Sequence, residues 1–257
     1  MPRPFTLRLP LLAPLAILLL SGCAPTYKFT QIDATKSVAI VSYSAVRSDE
    51  QTSKGIVVQF DSGQAKKNAV IAYDRLGKAL SEKFGWTVHP YSTVAGHPAY
   101  AKVYQAVHES SWLMKQQFVG KNDANHYHPK GIFFPVMMGS VEPAQLESVY
   151  ENLGVDAVAV ATVGVTESRE NHIFSPDELV FSTVMNFRVY RRGQEDPVWK
   201  DHWIEAEHRT RNGDTRIGPF QFNGNRQKAF LAAIQMGYKV LLARYDEALA
   251  KAKAEKK

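Results

Sequence analysis

Apolar residues along this chain recur with three different spacings, and each spacing predicts a different kind of element. Val38-Ala39-Ile40-Val41 with Tyr43 is apolar on both parities, as a strand buried on both faces requires. From Ala69 the interval becomes three and four residues, through Ala72, Tyr73, Leu76, Leu80 and Phe84, which predicts an amphipathic helix stopped by Gly85. Trp86-Thr87-Val88 then reads as a strand, so the body opens β-α-β. Residues 98–118 carry Val103, Val107, Trp112, Leu113 and Met114 at roughly helical spacing and lead into a polar loop, Gly120 to Gly131. Ile132 to Val136 is apolar again, but Pro135 has no N–H to give a ladder and restricts this run to an edge or irregular strand. A clearer helix follows, with Pro143 in its first turn, Leu146, Val149, Tyr150 and Leu153 on one stripe, and Gly154 at its end. Val155 to Val165, small and β-branched, predicts a central strand.

Past this point the period is two. Leu179, Phe181, Thr183, Met185, Phe187 and Val189 mark one apolar face, while Ser182, Asn186 and Arg188 mark the other as polar. The loop of residues 191–197 turns the chain into a strand of mixed polarity, 198–209, that carries Trp199 and Trp203. A long amphipathic helix holds Phe230, Ile234, Tyr238, Leu241, Tyr245 and Leu249 on one stripe. The predicted class is α/β (α+β), a mixed sheet with a β-α-β start, a helix-strand unit, an antiparallel hairpin and a C-terminal helix packed on the sheet. The expected organisation is a single domain over residues 37–250 with an insert at 89–140, and a basic tail at 251–257.

The first 36 residues obey another logic. Arg3 and Arg8 precede a run from Leu9 to Leu20 that is apolar apart from Pro10 and Pro14, the n-region and h-region of an export signal. A spanning helix needs about 20 apolar residues, so this run is too short to be one. Leu20-Ser21-Gly22 then precedes Cys23, the only cysteine of the chain, and this step resembles the lipobox of bacterial lipoproteins. The resemblance implies removal of residues 1–22 and a diacylglycerol thioether on Cys23, a reaction that needs the nucleophilicity of a thiolate. Ala24 follows the cysteine where an inner-membrane retention signal would resemble Asp, so the expected address is the periplasmic face of the outer membrane, with residues 23–36 as lipidated terminus and tether. With its one cysteine committed to lipid, the exported body can form no internal disulfide.

The formal charge of +6 changes the picture little. Arg3 and Arg8 leave with the signal, and Lys251, Lys253, Lys256 and Lys257 carry most of what remains, so the body is nearly neutral. Charge gathered in a tail argues against a nucleic-acid face, and no nucleic-acid partner is expected.

The order of elements, and the step Glu151-Asn152-Leu153-Gly154-Val155-Asp156-Ala157-Val158 from helix to strand before a meander and a closing helix, resembles the small α/β domain of envelope lipoproteins. That group includes the curli-secretion and exopolysaccharide-export lipoproteins and the lipoprotein activators of peptidoglycan synthases, and the amino-terminal domain of the Tol-system propeller protein is similar. The resemblance covers roughly Lys36 to Ala250 and leaves His89 to Ser140 without a counterpart. It implies a non-enzymatic binding or scaffold component of an envelope assembly or export system, with an envelope protein or glycan as partner.

Sequence signatures of catalysis are absent: no G-x-G-x-x-G after a strand, no Walker lysine, no G-x-S-x-G and no S-x-x-K. No enzymatic activity and no soluble cofactor are expected. His126 and His128, with Asp123, have a spacing at which two imidazoles can face one Zn or Cu ion, which gives an alternative reading as a periplasmic metal-binding lipoprotein; His97, His108 or His172 would have to complete the site. A polar loop without metal contains the same residues. His202 and His208 share a strand parity but lie about 20 Å apart, and Asp201, Glu205 and Glu207 flank Trp203 on the other parity, where paired carboxylates beside an aromatic can cleave glycans but the solvated outer face of an edge hairpin is the expected reading. Trp199, Trp203, Arg191 and Arg192 form the expected partner surface, extended by Tyr190, Phe220, Phe222, Arg209, Arg211 and Arg216. No membrane barrel is expected, because residues 55–60 are too short for a spanning hairpin.

Overall fold

The computed structural model describes residues 24–49, 62–110, 126–127, 129–133, 138, 141–170, 178–211 and 224–255. Its centre is a strand, β2 (Ser37–Asp49), longer than the apolar run that predicts it. It is flanked by β5 (Ala157–Glu170) in parallel on one side, and on the other by β3 (Thr87–His89), also parallel. β6 (Glu178–Arg191) and β7 (Trp199–Arg211) continue the sheet as an antiparallel meander beyond β5. Two short strands complete it, β1 (Thr26–Tyr27) on the outer edge of β7 and β4 (His126–Tyr127) beside the far end of β2. The order is β1-β7-β6-β5-β2-β3, so the sheet is mixed, as the periodicities predict.

Six helices are described: α1 (Phe29–Asp33), α2 (Ser62–Phe84), α3 (Tyr91–Gly96), α4 (Pro98–Ser110), α5 (Pro143–Leu153) and α6 (Gly224–Ala254). The α2 and α5 crossovers step across the sheet in opposite directions, and a common right-handed connection therefore puts them on opposite faces. α2 packs with α6 on the first face, and α5 packs with α4 on the second. On the first face, Phe181, Thr183, Met185, Phe187 and Val189 are all buried, the alternation that the sequence displays. The opposite residues of β6, Ser182, Asn186 and Arg188, are exposed. Gly237 sits mid-helix in α6 because the helix lies so close to β6 that a Cβ there would meet Thr183 Cγ2 at 3.1 Å.

Three expectations change. Residues 26–33 are not a free tether: β1 pairs with β7, Lys28 N–H donates to Val198 O at 2.7 Å, and Ile32 is fully buried. The segment is held by aromatic packing that the polar look of 24–36 obscures, with Tyr27 stacked on Phe29 and both edge-on to Tyr245 of α6. Second, Lys251 and Lys253 of the expected tail belong to α6, which runs to Ala254. Third, the apolar run at 132–136 supplies only a bridge, Phe133 to Ser42, among the described residues.

Candidate functional site

The expected partner surface divides into two places. Arg191 and Arg192 end β6 at the hairpin, where they line a cleft of about 480 Å³ with Glu147, Glu151 and Asp156. Arg192 is spent on α5: its Nε donates to Glu147 Oε1 at 2.5 Å and its Nη2 to Glu151 Oε1 at 2.9 Å. The hydrogen bond donated to Glu147, with the charges of both glutamates, pushes the guanidinium further into its protonated range. Tyr150 of the same helix donates to Tyr190 O at 3.1 Å. The other wall is built by Asp156, whose Oδ2 accepts the N–H groups of Lys36 (2.9 Å) and Ser37 (3.0 Å) at the start of β2. Partial burial raises the Asp156 carboxyl, but those N–H donors outweigh it and hold the group below the ordinary carboxylate range. Through Arg192 and Asp156 the cleft thus links α5, β2 and the hairpin.

Trp199 leaves the partner surface altogether. It is fully buried, packed against Phe187 (4.9 Å between ring centroids), Tyr245 (5.2 Å) and Phe84 (5.5 Å). Residues 199 and 203 share a parity, so an unbroken strand would bury or expose both. A bulge breaks it. Phe187 pairs with Asp201 and Met185 with Ile204, so Asn186 alone faces both His202 and Trp203. Trp203 is 68% exposed and is, among the described residues, the one non-glycine with positive φ, +53°. A bulky side chain in the left-handed region costs roughly 1 to 2 kcal/mol, and tertiary contacts must hold it there.

Those contacts come from α6, β6 and β1. Arg244 donates from Nη1 to the carbonyls of His202 (3.3 Å) and Trp203 (3.2 Å), and its Nη2 lies 3.1 Å from Asp201 Oδ1. Asp201 is fully buried, and its second oxygen accepts the Tyr27 hydroxyl at 2.6 Å. Burial first, then the hydrogen bond and charge of Asp201, push the Tyr27 phenol well above its ordinary range, so it stays a donor. Asn186 Oδ1 is 3.4 Å from the Trp203 N–H. The bulge is therefore strapped through Arg244 and Asp201 to the first strand of the body.

The same bulge undoes two groupings drawn by parity. Asp201 turns inward while Glu205 and Glu207 are exposed, so these carboxylates do not share a face, and His202 and His208 are separated by the irregularity as well. A signal for it stands in the sequence: Ile204, apolar and buried, has the opposite parity to Trp199. Arg244, Asp201 and Tyr27 as a unit have no such signal, since their contacts span 41 residues or more.

Of the expected metal ligands, His126 lies in β4 opposite Val46, while Asp123, His128 and His172 lie outside the described residues. No group of three or more His, Cys, Asp or Glu that could hold a metal occurs among the described residues. His89, at the end of β3, titrates below an ordinary histidine, through burial first and then the charge of His97. Cys23, Phe220, Phe222 and Arg216 also lie outside the described residues, and Arg209 is ion-paired with Glu207.

No protein-family model matches the chain, and no curated protein matches it. Solved structures do, and they include bacterial lipoproteins. The chain is similar to lipoprotein GNA1162 from Neisseria meningitidis at 15% identity and a TM-score of 0.32, over 77% of this chain and 94% of that one. It is also similar to the LpoB C-terminal domain from Salmonella enterica, at 11% identity and a TM-score of 0.29 over 77% and 93%. The hypothetical protein CT253 from Chlamydia trachomatis matches at 10% identity and a TM-score of 0.34 over 82% and 95%.

Proposed function

We propose that this chain is a lipoprotein of the bacterial envelope, held at the periplasmic face of the outer membrane by acyl chains on Cys23, and that its α/β body is a non-enzymatic binding or scaffold component of an envelope assembly or export system. The observation that carries the reading is the short distance along the chain from Cys23 to the docked body. The first strand among the described residues starts at Thr26, three residues past Cys23, and is docked on β7. Three residues span at most about 11 Å, so a lipid on Cys23 would hold the body against the bilayer. One acyl chain binds a membrane marginally and several bind it firmly, which suits a permanent component. No helix among the described residues is long and apolar enough to cross a membrane.

Cells expressing the full chain and fed labelled palmitate test the anchor. The chain should take up label and sediment with outer-membrane fractions, and Cys23→Ala should lose both. Label retained by Cys23→Ala, or a wild-type chain found unlabelled in the soluble periplasm, would overturn it. For the scaffold role, cross-linking in intact cells followed by capture should return the same envelope component in independent experiments, and capture of the chain alone each time counts against it.

A further inference from the structure

The structure spends backbone strain to hold one large apolar side chain in solvent, at the edge of the sheet where the chain comes in from Cys23. Among the described residues only Ile71, at 39%, and Trp203, at 68%, are large exposed hydrophobics. Ile71 sits on the outside of a helix, where an isolated apolar residue is ordinary. Trp203 is different because Arg244 and Asn186 fix its backbone in a conformation it would not adopt unaided. Bulges of this kind re-aim a side chain at the rim of a sheet.

The register says which surface it shares. β1 runs antiparallel to β7, with Tyr27 opposite Trp199 and Thr26 opposite Lys200. Traced from Tyr27 back to Thr26, the chain advances along β7 in the direction of Trp203, which is three residues beyond Lys200. Cys23 is likewise three residues beyond Thr26. Trp203 and the strand leading to Cys23 therefore share this edge, and three residues of chain allow Cys23 at most about 11 Å from the Thr26–Lys200 pair.

We infer that Trp203 is a second membrane contact, its indole seated in the headgroup region of the leaflet that holds the acyl chains of Cys23. Indole suits that depth, having a large apolar ring and one N–H that stays hydrated, and tryptophan gathers at bilayer interfaces for this reason. The Tyr27–Asp201–Arg244 strap joins the strand nearest Cys23 to the bulge, so a lipid on Cys23 and the indole would act on the same edge of the body and restrict its tilt on the membrane. The inference rests on the lipid-anchor reading of Cys23.

The test uses the full chain, expressed in a Gram-negative host, purified from membranes and reconstituted in phosphatidylethanolamine–phosphatidylglycerol vesicles with or without brominated acyl chains. Mass spectrometry of the N-terminal peptide reads acylation separately from the fluorescence. Trp86 and Trp199 are buried in the core and Trp112 lies outside the described residues, so the reading is the difference between wild type and Trp203→Phe. The acylated wild type should lose more emission in brominated vesicles than Trp203→Phe, equally acylated and equally bound. Equal quenching in both proteins, or none in either, overturns the inference and leaves the anchor standing. An N-terminal peptide without acyl chains overturns the anchor and the inference with it. Protection of Trp203 from acrylamide that grows with protein concentration in the absence of vesicles assigns the indole to a second copy of the chain and also overturns it.

Discussion

Gly154 and Trp203 have nearly the same φ, +63° and +53°, and opposite reasons for it. Gly154 ends α5, where its N–H reaches Glu151 O at 3.2 Å, and nothing lies within 4 Å of the place a Cβ would take. The turn belongs to the local chain, because a glycine after a helix adopts this conformation at little cost. Trp203 has no local reason to be left-handed. Its conformation is imposed from α6, 41 residues away, by Arg244. A similar division runs through the two regions: the hairpin cleft closes with ion pairs and caps among its own residues, whereas the β7 bulge uses a buried charge to keep an aromatic outside. A backbone device that serves stability sits on a residue suited to it, and one that serves presentation need not.

Removing the strap should have the largest effect. Arg244→Ala leaves the fully buried Asp201 without its cation, and an orphaned buried charge costs 3 to 5 kcal/mol; with the Arg244 side chain partly exposed, about 3 kcal/mol is expected, read as a lowered urea midpoint. The equivalent cut at the cleft is Asp156→Ala, which removes the acceptor of the Lys36 and Ser37 N–H groups at the entry to β2 and should cost about 2 kcal/mol at neutral pH. This second loss has a pH signature. The folded-state pKa of Asp156 lies below its unfolded value, so its contribution is present above pH ~4 and disappears as pH falls through the folded pKa. Wild type and Asp156→Ala should differ in urea midpoint at pH 7 and converge as acid protonates the folded-state carboxylate; a gap that does not shrink in acid would assign the effect to something other than the carboxylate.

How much of this is legible in the sequence depends on the distance over which each feature is decided. β2, β5 and β6, and α2, α5 and α6, are written in local periodicity, and the structure follows it, with Val38 to Tyr43 buried on both faces and Phe181 to Val189 on one. Pro143 and Gly154 mark the limits of α5 for equally local reasons. The docking of residues 26–33 is less visible, since Tyr27, Phe29 and Ile32 are too few to show a period and gain meaning only against Trp199 and Tyr245. Trp199 and Trp203 are chemically identical, and parity groups them. Only the inserted residue of the bulge sends one to the core and the other to solvent.

The left-handed pair can be tested by substitutions of opposite sign. Gly154→Ala should destabilise by roughly 1 kcal/mol, for backbone reasons alone since a methyl group there meets no neighbour. Trp203→Asn should stabilise by roughly 0.5 to 1 kcal/mol, because asparagine tolerates the conformation and the indole it replaces buries little surface. A destabilised Trp203→Asn would mean that the ring packs usefully on the body, and presentation would no longer account for the bulge.

The smallest change is expected where the sequence placed most of the partner chemistry. Arg192 looks indispensable by its contacts, two glutamates within hydrogen-bonding distance, yet it and both partners lie at the surface. Water already solvates such charges well, and holding three long side chains in one arrangement costs entropy that offsets the attraction. Arg192→Ala should therefore move the melting temperature by little more than the error of the measurement, and added salt should erase even that, while the Arg244→Ala loss should persist because its carboxylate partner is shielded from the solvent. Equal salt sensitivity in the two variants would mean that Asp201 is solvated after all, and the contrast between a closed cleft and a strained, strapped bulge would fail at its physical root.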